Sequence, residues 1–361
     1  MLKPRQAVQT LPSYHPPLSG RKGLRFDFNE NTVGCSPRIL QRLRSIDAED
    51  LSRYPEREPV EGVVSEFLGV PKSDVLLTNG VDEAIHLMCE TYLEAGDEAL
   101  IVVPTYSMYR IYVLAAGANL VSVPMEKDFV FSVDRVMAAI TQKTRFVAIA
   151  NPNNPTGTVV SAQDLCAIAE SAPQAAVLVD EAYFEFYGRT MLTEQRPSNL
   201  FVARTFSKVY GMAGLRAGIL VGDTEQMKAL RRAASPYNVN AIALACLPEA
   251  IADQSYVQNY VAEVRQSRAR LESALMTAGV HFWPSQANFI LMRTGSEAAE
   301  AAEFSEAMRR RGILVRDRSA DYGCEGCVRI TLGPREHCDR LLTALHETFD
   351  ELGIAQGASQ R

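Results

Sequence analysis

The sequence predicts an α/β protein with a mostly parallel central sheet, helices on both faces of that sheet, and a smaller α+β unit towards the C-terminus. Short apolar runs of the kind that form buried strands alternate with amphipathic stretches of helical spacing. After a long helical stretch, the pattern changes to a few short strands between longer helices. With 361 residues, the chain has room for one large domain and one smaller domain.

The elements follow in order from the N-terminus. Residues 1–30 are rich in proline, glycine and basic residues and are expected to form an extended arm. Residues 31–240 are expected to form the large domain. Its candidate strands are 75–77, 99–103, 120–123, 145–150, 175–179, 200–203 and 215–221. Its candidate helices include 81–93, 161–170 and 224–234. Strand–helix alternation of this kind indicates a parallel sheet that is covered on both sides.

The C-terminal third of the chain has a different pattern. Residues 241–278 have helical spacing with few breakers and are predicted to form a connecting helix. Residues 279–361 are predicted to form the smaller domain. Its expected elements are 280–292, 297–311, 313–316, 328–331 and 335–352.

Composition excludes several classes of partner. The formal net charge is -6 and there is no block of five basic residues, which argues against nucleic acid or an anionic membrane as the main partner. The seven cysteines are irregularly spaced and odd in number, so they do not indicate a disulfide framework. No secretory signal and no apolar run long enough for a bilayer are found. We therefore expect a cytoplasmic protein.

Polar residues that directly follow apolar runs are the first candidates for a site, because ligands of open α/β sheets bind at the carboxyl ends of strands. In V-L-L-T-N-G-V-D, Gly80 permits a tight turn and a helix begins at Val81 or Asp82. The free N–H groups of that helix could bind an anion. Taken alone, the stretch is more typical of an ordinary turn in which Asp82 caps the helix.

Two further stretches follow apolar runs. Residues 151–157 read N-P-N-N-P-T-G. They form either an ordinary turn, for which Asn, Pro and Gly are typical, or a set of amide side chains that face the cleft. Asp180 follows five apolar residues, and a carboxylate in that position needs a partner. Asp180 is either a helix N-cap or an acid that faces a protonated ring nitrogen, and Tyr183 could share the same pocket.

The fourth stretch is T-F-S-K-V-Y-G-M-A-G-L-R, in which Lys208 is surrounded by small, aromatic and apolar residues. Desolvation makes a lysine amine more nucleophilic, and lysine is the residue that forms Schiff bases. Arg216 is predicted to begin the next apolar strand. A ligand with a phosphate, a ring nitrogen and an aldehyde would use all four stretches, and pyridoxal 5′-phosphate has all three groups.

The order N-P-N-N-P-T-G, D-E-A-Y and S-K-x₇-R resembles the class I and II aminotransferases of fold type I, and the resemblance extends from residue 14 to the last helix. It implies that Lys208 forms the Schiff base and then moves the proton of the substrate, while Asp180 keeps the ring nitrogen protonated. It implies that Tyr183 and Asn154 form hydrogen bonds to the phenolic oxygen of the cofactor ring and that Tyr106 stacks on the ring. It implies that the phosphate is held by the backbone around Val81 and Asp82, together with Thr205, Ser207 and Arg216.

The resemblance also implies a partner and a substrate. Tyr54 matches a tyrosine that reaches the phosphate of a neighbouring subunit, which implies a homodimer with shared active sites, and residues 31–60 would contribute to the smaller domain. The residues implied to bind substrate are Tyr14, Asn29, Arg316 and Arg329. Two arginines and a tyrosine suit a phosphate. We therefore expect L-histidinol phosphate as the amino donor, with 2-oxoglutarate and glutamate as the second pair.

Other functions fit the same stretches. An aromatic amino-acid aminotransferase would use Arg329 for a carboxylate, and a phospho-amino-acid decarboxylase would cleave the bond from the α-carbon to the carboxyl group. A ligand-sensing module of a transcription regulator would need an additional DNA-binding domain, for which we expect no room, and the acidic balance opposes it. Cys324 and Cys327 form a CxxC without the further ligands that zinc needs, so we interpret them as structural and expect no metal.

Overall fold

The computed structural model describes residues 2–11, 20 and 22–354. Within that part of the chain, the strands in order are β1 (Leu24–Arg25), β2 (Val75–Thr78), β3 (Glu98–Val103), β4 (Asn119–Pro124), β5 (Thr144–Ala150), β6 (Ala176–Asp180), β7 (Leu200–Thr205), β8 (Gly218–Val221), β9 (Phe282–Trp283), β10 (Phe289–Arg293), β11 (Ile313–Leu314), β12 (Arg316–Asp317) and β13 (Cys327–Thr331).

The helices of the same residues, in chain order, are α1 (Gln6–Gln9), α2 (Pro37–Arg44), α3 (Ala48–Ser52), α4 (Glu58–Leu68), α5 (Val81–Tyr92), α6 (Ser107–Ala116), α7 (Val133–Ala139), α8 (Ala162–Ser171), α9 (Phe184–Tyr187), α10 (Thr224–Ala233), α11 (Ala241–Ala252), α12 (Gln254–Thr277), α13 (Ala298–Arg310) and α14 (Arg335–Leu352).

The central sheet confirms the predicted architecture. Its strand order is β2-β8-β7-β6-β5-β3-β4, and every described pairing is parallel except the two made by β8. Successive residues of a strand point to opposite faces. Along β5, Val147 packs into one hydrophobic core and Phe146 and Ala148 into a second. Helix α8 covers the first face and α5 the second, so helices lie on both sides as expected.

The smaller unit is built on an antiparallel sheet. Its strand order is β12-β13-β10-β9, and α14 packs against both α12 and α13. The segment that precedes the large sheet also joins this unit, because β1 pairs in parallel with β11 and the Thr331 N–H donates to the Phe26 carbonyl at 2.9 Å. This connection brings residues 27–30 to the boundary between the large sheet and the smaller unit.

The predicted connecting helix is wrong in one respect, since residues 241–278 form the two helices α11 and α12. The break is at Asp253, whose ψ of 59° is not helical. Its carboxylate accepts a hydrogen bond from the Tyr256 N–H and caps α12, and the Ser36 hydroxyl donates to it at 2.6 Å. The break itself has neither proline nor glycine, since the only proline of the stretch, Pro248, lies inside α11, and the spacing alone therefore did not reveal the break.

Two other expectations need correction. The strand predicted at 215–221 begins at Gly218, because Ala213–Leu215 is a 3₁₀ turn and Arg216 has a left-handed φ of +56°. Arg216 therefore lies in the turn before the strand. The N-terminal arm is not extended throughout, since Gln6–Gln9 forms α1, which packs on α6.

Helices α2 and α3 pack against α11, and the contribution of residues 31–60 to the smaller domain stays a prediction. No helix in the described ranges combines the length and the apolarity needed to cross a membrane.

Candidate active site

A cavity of about 560 Å³ opens where the large sheet meets the smaller unit. Ala150, Asp180 and Thr205, the last residues of β5, β6 and β7, lie in its wall, so the cavity is at the carboxyl ends of parallel strands. The predicted site residues that line it are Asn29, Val81, Asp82, Tyr106, Asn154, Asp180, Tyr183, Thr205, Ser207, Lys208, Arg216, Arg316 and Arg329. The fold thus brings together residues that are far apart in the sequence.

Two predicted residues are not part of this wall. Tyr54 lies outside the cavity, is 78% exposed, and stacks on Tyr237 with ring centroids 4.4 Å apart. Tyr14 lies outside the described residues.

Lys208 is in the loop that follows β7, and it is half-buried. Its Nζ donates to the Phe28 carbonyl at 3.0 Å and lies 5.8 Å from the centre of the Tyr183 ring. Among the described residues that line the cavity, Lys208 is the only lysine. It is therefore the one primary amine of the described wall that could react with a ligand aldehyde.

Asp180 is buried at the base of the cavity. The Tyr109 hydroxyl donates to its Oδ2 at 2.6 Å, and the Ala182 N–H donates to its Oδ1 at 3.0 Å. Burial nevertheless raises the pKa of Asp180 to about 6, because desolvation outweighs these two hydrogen bonds. Asp180 makes no salt bridge within the described part of the chain. A cationic ligand group at this carboxylate would stabilise its charged form.

The contact of Tyr109 with Asp180 is one that the sequence did not predict. Tyr106 and Tyr109 are three residues apart at the start of α6, and their rings meet edge to face at 5.8 Å. That spacing could have signalled a shared face. The acid that Tyr109 meets comes from β6, however, and only the folded sheet brings the two together.

Another part of the cavity wall is suited to an anion. Helix α5 begins at Val81, and its N-cap residue is Gly80, which has no side chain that could cap the helix. Arg216 lies beside it, with Nη2 at 3.0 Å from Asp82 Oδ2 and Nη1 at 3.4 Å from Ser207 Oγ. The Tyr106 hydroxyl donates to the other Asp82 oxygen at 2.8 Å. Free helix N–H groups beside a guanidinium could together hold a phosphate.

The wall that faces the smaller unit carries arginines. Arg329 is buried, donates from Nη2 to the Asp27 carbonyl at 2.6 Å, and donates from Nη1 to Asn154 Oδ1. Burial is the main cause that lowers the pKa of Arg329 to about 9, and the nearby Arg318 and Arg316 charges lower it further. The Arg316 guanidinium lies 5.3 Å from the centre of the Phe28 ring. Arg318 also lines the cavity, and sequence reasoning did not single it out.

Asn29 joins this wall to the centre of the site. Its left-handed φ of +55° is held by Thr331, whose hydroxyl accepts from the Asn29 N–H and donates to the Asn29 Oδ1, both at 3.0 Å. The Asn29 amide then donates to the Tyr183 hydroxyl at 2.8 Å. Thr331 is on β13, which also carries Arg329, so one hydrogen-bonded chain connects the arginine-bearing strand to Tyr183.

The CxxC pair lies apart from this chemistry. Cys324 and Cys327 are buried free thiols, and neither lines the cavity. In the part of the chain that the structure describes, no group of three or more His, Cys, Asp or Glu side chains could hold a metal.

Comparison with known proteins gives a consistent result. The family model of aminotransferase class I and II matches residues 21–345. The chain is 34% identical to histidinol-phosphate aminotransferase 1 of Bacillus cereus, covering 90% of this chain and 88% of that protein. It is 36% identical to the histidinol-phosphate aminotransferase of Paracoccus denitrificans, covering 91% of this chain and 90% of that protein.

Solved structures agree. The histidinol-phosphate aminotransferase of Sinorhizobium meliloti, crystallised in complex with pyridoxal-5′-phosphate, superimposes with a TM-score of 0.88 at 26% identity, and covers 98% of this chain and 99% of that one. The aspartate aminotransferase of Thermus thermophilus with maleate gives a TM-score of 0.81 at 21% identity, covering 96% of this chain and all of that one, which supports the fold.

Proposed function

This chain belongs to the class I and II aminotransferases, and from that premise we propose that it uses pyridoxal 5′-phosphate to transfer the amino group of L-histidinol phosphate to 2-oxoglutarate. The observation that carries the substrate is the arginine wall, in which buried Arg329 and its neighbour Arg316 face the same cavity as Lys208. Guanidinium groups suit the phosphate of one substrate and the carboxylates of the other. The relatives named above support the same donor.

The residues of the cavity fit the cofactor. Asp180 is a buried carboxylate whose charged form is disfavoured by desolvation, and a protonated ring nitrogen beside it would offset that cost. An added Cβ at Gly80 would lie 2.5 Å from the Arg216 guanidinium, so only glycine lets that guanidinium lie against the N-terminus of α5. We call this arrangement the phosphate cradle, because the guanidinium and the free helix N–H groups could bind a phosphate together. Lys208 would hold the aldehyde. The remaining residues proposed to hold the cofactor are Val81, Asp82, Tyr106, Asn154, Tyr183, Thr205 and Ser207.

The side chains of this protein would then act as follows. When bound, the cofactor supplies an electron sink for the charge that develops at the substrate's α-carbon. Lys208 is proposed to remove the α-proton, and the Phe28 carbonyl, which accepts from Nζ, orients the amine for that transfer. Arg316 and Arg329 would hold the phosphate of the donor and later a carboxylate of 2-oxoglutarate. Both substrates therefore use one site in turn.

We also propose that the protein is a homodimer with shared active sites and that it is located in the cytoplasm. Tyr54 supports the dimer, because it is exposed, lies outside its own cavity and is available to a neighbouring subunit. Free thiols at all seven cysteines are compatible with a reducing compartment.

Gly80→Ala tests the phosphate cradle. The φ of Gly80 is +78°, and an added Cβ would lie 2.5 Å from Arg216 Nη2. We expect a loss of stability of about 1 kcal/mol or more from the backbone strain, together with clearly weaker binding of pyridoxal phosphate. Titration of the cofactor-free protein, followed by absorbance, measures the second effect. Gly69→Ala is the matched control, because Gly69 has a similar φ of +67° but its added Cβ would have open space around it in the part of the chain that the structure describes. Equal cofactor affinity for the two variants would contradict the cradle.

The donor itself is tested by kinetics. With 2-oxoglutarate as acceptor, we expect kcat/KM for L-histidinol phosphate to exceed that for L-phenylalanine by at least about 10²-fold, since a phosphate makes charge-assisted bonds to more than one arginine. The measurement is the initial rate with each donor at matched concentrations. A preference for L-phenylalanine would assign Arg329 to a carboxylate and identify an aromatic amino-acid aminotransferase instead. Release of carbon dioxide without keto product would indicate a decarboxylase.

A further inference from the structure

Arg318 is placed to act with the two arginines proposed to bind substrate. Arg316 and Arg329 are directly opposite each other in the antiparallel pairing of β12 with β13, so their side chains share a face. The ladder continues to Arg318, whose N–H donates to the Cys327 carbonyl at 2.9 Å. Arg318 is two residues beyond Arg316 and therefore points to the same side. All three arginines line the cavity.

Arg318 is partly buried, and its hydrogen-bonding capacity is only partly used. Its side chain is 10% exposed and forms an ion pair with Asp321. Its Nε is buried without a hydrogen-bond partner in the described part of the chain, and the same is true of Arg329 Nε. A buried donor that stays unpaired costs free energy, and more so when the group is charged. Two such donors on neighbouring arginines of one cavity wall indicate a ligand with several acceptor oxygens, which would supply the missing hydrogen bonds.

Repulsion within the wall indicates how much charge that ligand carries. Arg318 and Arg316 both act against the charged form of Arg329 and lower its pKa beyond the effect of burial. Asp321 offsets part of this repulsion, because it pairs with Arg318 and its charge also raises the pKa of Arg329, whereas Glu30 pairs with Arg25 at 3.1 Å. A phosphomonoester brings up to two negative charges and three acceptor oxygens, whereas a carboxylate brings one charge and two oxygens. The dianion relieves more of the repulsion.

We propose that Arg318 is a specificity-determining residue, which selects amino donors with a dianionic phosphate over donors whose only anionic group is a carboxylate. This inference depends on the proposed function for the location of the donor, and it assigns to Arg318 a role separate from Arg316 and Arg329. Those two bind either anion, as alternation between two substrates requires. Arg318 adds the third cation that only the phosphate needs.

The test compares donors on the cofactor-loaded enzyme with 2-oxoglutarate as acceptor. For Arg318→Gln we expect kcat/KM with L-histidinol phosphate to fall about 10- to 100-fold, the loss of one charge-assisted interaction, and kcat/KM with L-phenylalanine to change less than about threefold. Arg318→Lys keeps the positive charge but loses the two-pronged guanidinium geometry. Its kcat/KM with L-histidinol phosphate should lie between the values of the wild type and Arg318→Gln. The matched control is Arg309→Gln, because Arg309 is an exposed arginine paired with Glu306. In this variant kcat/KM should be unchanged with either donor.

A purely structural role for Arg318 predicts a different pattern. Arg318→Gln would then lower kcat/KM equally for both donors, and that result, in Arg318→Gln or in Arg318→Lys, overturns the proposal. Asp321→Asn provides a further distinction, because it removes the ion-pair partner of Arg318 but leaves the arginine charge in place. We expect it to keep the preference for the phosphate donor, whereas loss of that preference contradicts the charge-based role.

Inhibition by inorganic sulfate separates this proposal from the proposed function. Sulfate is a dianion, and we expect it to compete with the amino donor and to have a Ki about tenfold higher in Arg318→Gln than in the wild type. If the wild type does not use L-histidinol phosphate but sulfate inhibition still depends on Arg318, the proposed function fails and the dianion site stands. If the wild type uses L-histidinol phosphate and Arg318→Gln retains full preference and sulfate affinity, the inference fails and the function stands.

Discussion

Lys208→Ala is expected to yield a folded protein that binds pyridoxal phosphate and has lost nearly all transamination. Loss of a positioned base alone accounts for about 10²–10⁴-fold in rate, and Lys208 is also the group proposed to hold the aldehyde, so the loss should reach at least the upper end of that range. Binding persists because the N-terminus of α5 and Arg216 are unchanged. Single-turnover rates and the absorbance of bound cofactor measure the two effects separately.

The control for this experiment is Lys228→Ala, since Lys228 is an exposed lysine that pairs with Glu225 on α10. It should retain wild-type rates. A small primary amine such as methylamine, added to Lys208→Ala, should restore part of the activity, because the missing function is that of an amine base. Wild-type activity in Lys208→Ala would disprove the assignment of this lysine.

The sequence predicted the parts of this site that have a local signal. Asp180 and Lys208 are charged residues next to apolar runs, and burial of a charge needs a reason that can be recognised without the fold. The strands around them were also predictable, because a strand covered on both faces is a short apolar run bounded by turn residues. The structure then placed both residues at one cavity, where β6 and β7 end.

What could not be predicted depends on contacts between distant segments. Tyr109 donates to Asp180 across 71 positions of sequence, and Thr331 holds Asn29 across 302. Neither partner carries a signal in its own surroundings that identifies the other. Arg318 was overlooked for a related reason, since its position beside Arg329 results from the register of β12 on β13. A sequence pattern gives the faces of a strand but leaves its pairing register open.

Asp180→Asn is expected to lower kcat by about 10²–10³-fold, the range found when one electrostatic stabiliser is removed from an active site. The amide has the shape of the carboxylate but carries no charge, so it cannot favour the protonated ring nitrogen. The fold should be preserved, because the Ala182 N–H can still donate to the amide oxygen. Asp180→Glu keeps the negative charge on a side chain that is one methylene longer, and it should retain more activity than Asp180→Asn. Equal and near-complete activity in both variants would contradict the proposed role.

The pH dependence of stability gives a second, independent test of Asp180. Its pKa in the cofactor-free protein is raised from 3.8 to about 6, so the folded state binds this proton more tightly than the unfolded state does. The unfolding free energy contributed by Asp180 therefore falls as the pH rises from about 4 to about 6, and it stays low above that window. Asp180→Asn removes this contribution. The stability of the wild type minus that of the variant, measured by denaturant unfolding of the cofactor-free proteins, should fall across the window and then level off.

Bound cofactor should abolish that trend, and this change connects the stability of the protein to its chemistry. A protonated ring nitrogen beside Asp180 favours the ionised carboxylate, so the pKa of Asp180 should fall on binding. The difference between wild type and Asp180→Asn should then no longer decrease between pH 4 and 6 when both proteins are saturated with pyridoxal phosphate. Tyr109→Phe removes a hydrogen bond that lowers the pKa of Asp180 in the folded state, so in the cofactor-free protein it should extend the upper edge of the window to higher pH and leave the lower edge in place. A window that is unchanged by the cofactor would mean that no cation meets this carboxylate, and the raised pKa of Asp180 would then reflect burial alone.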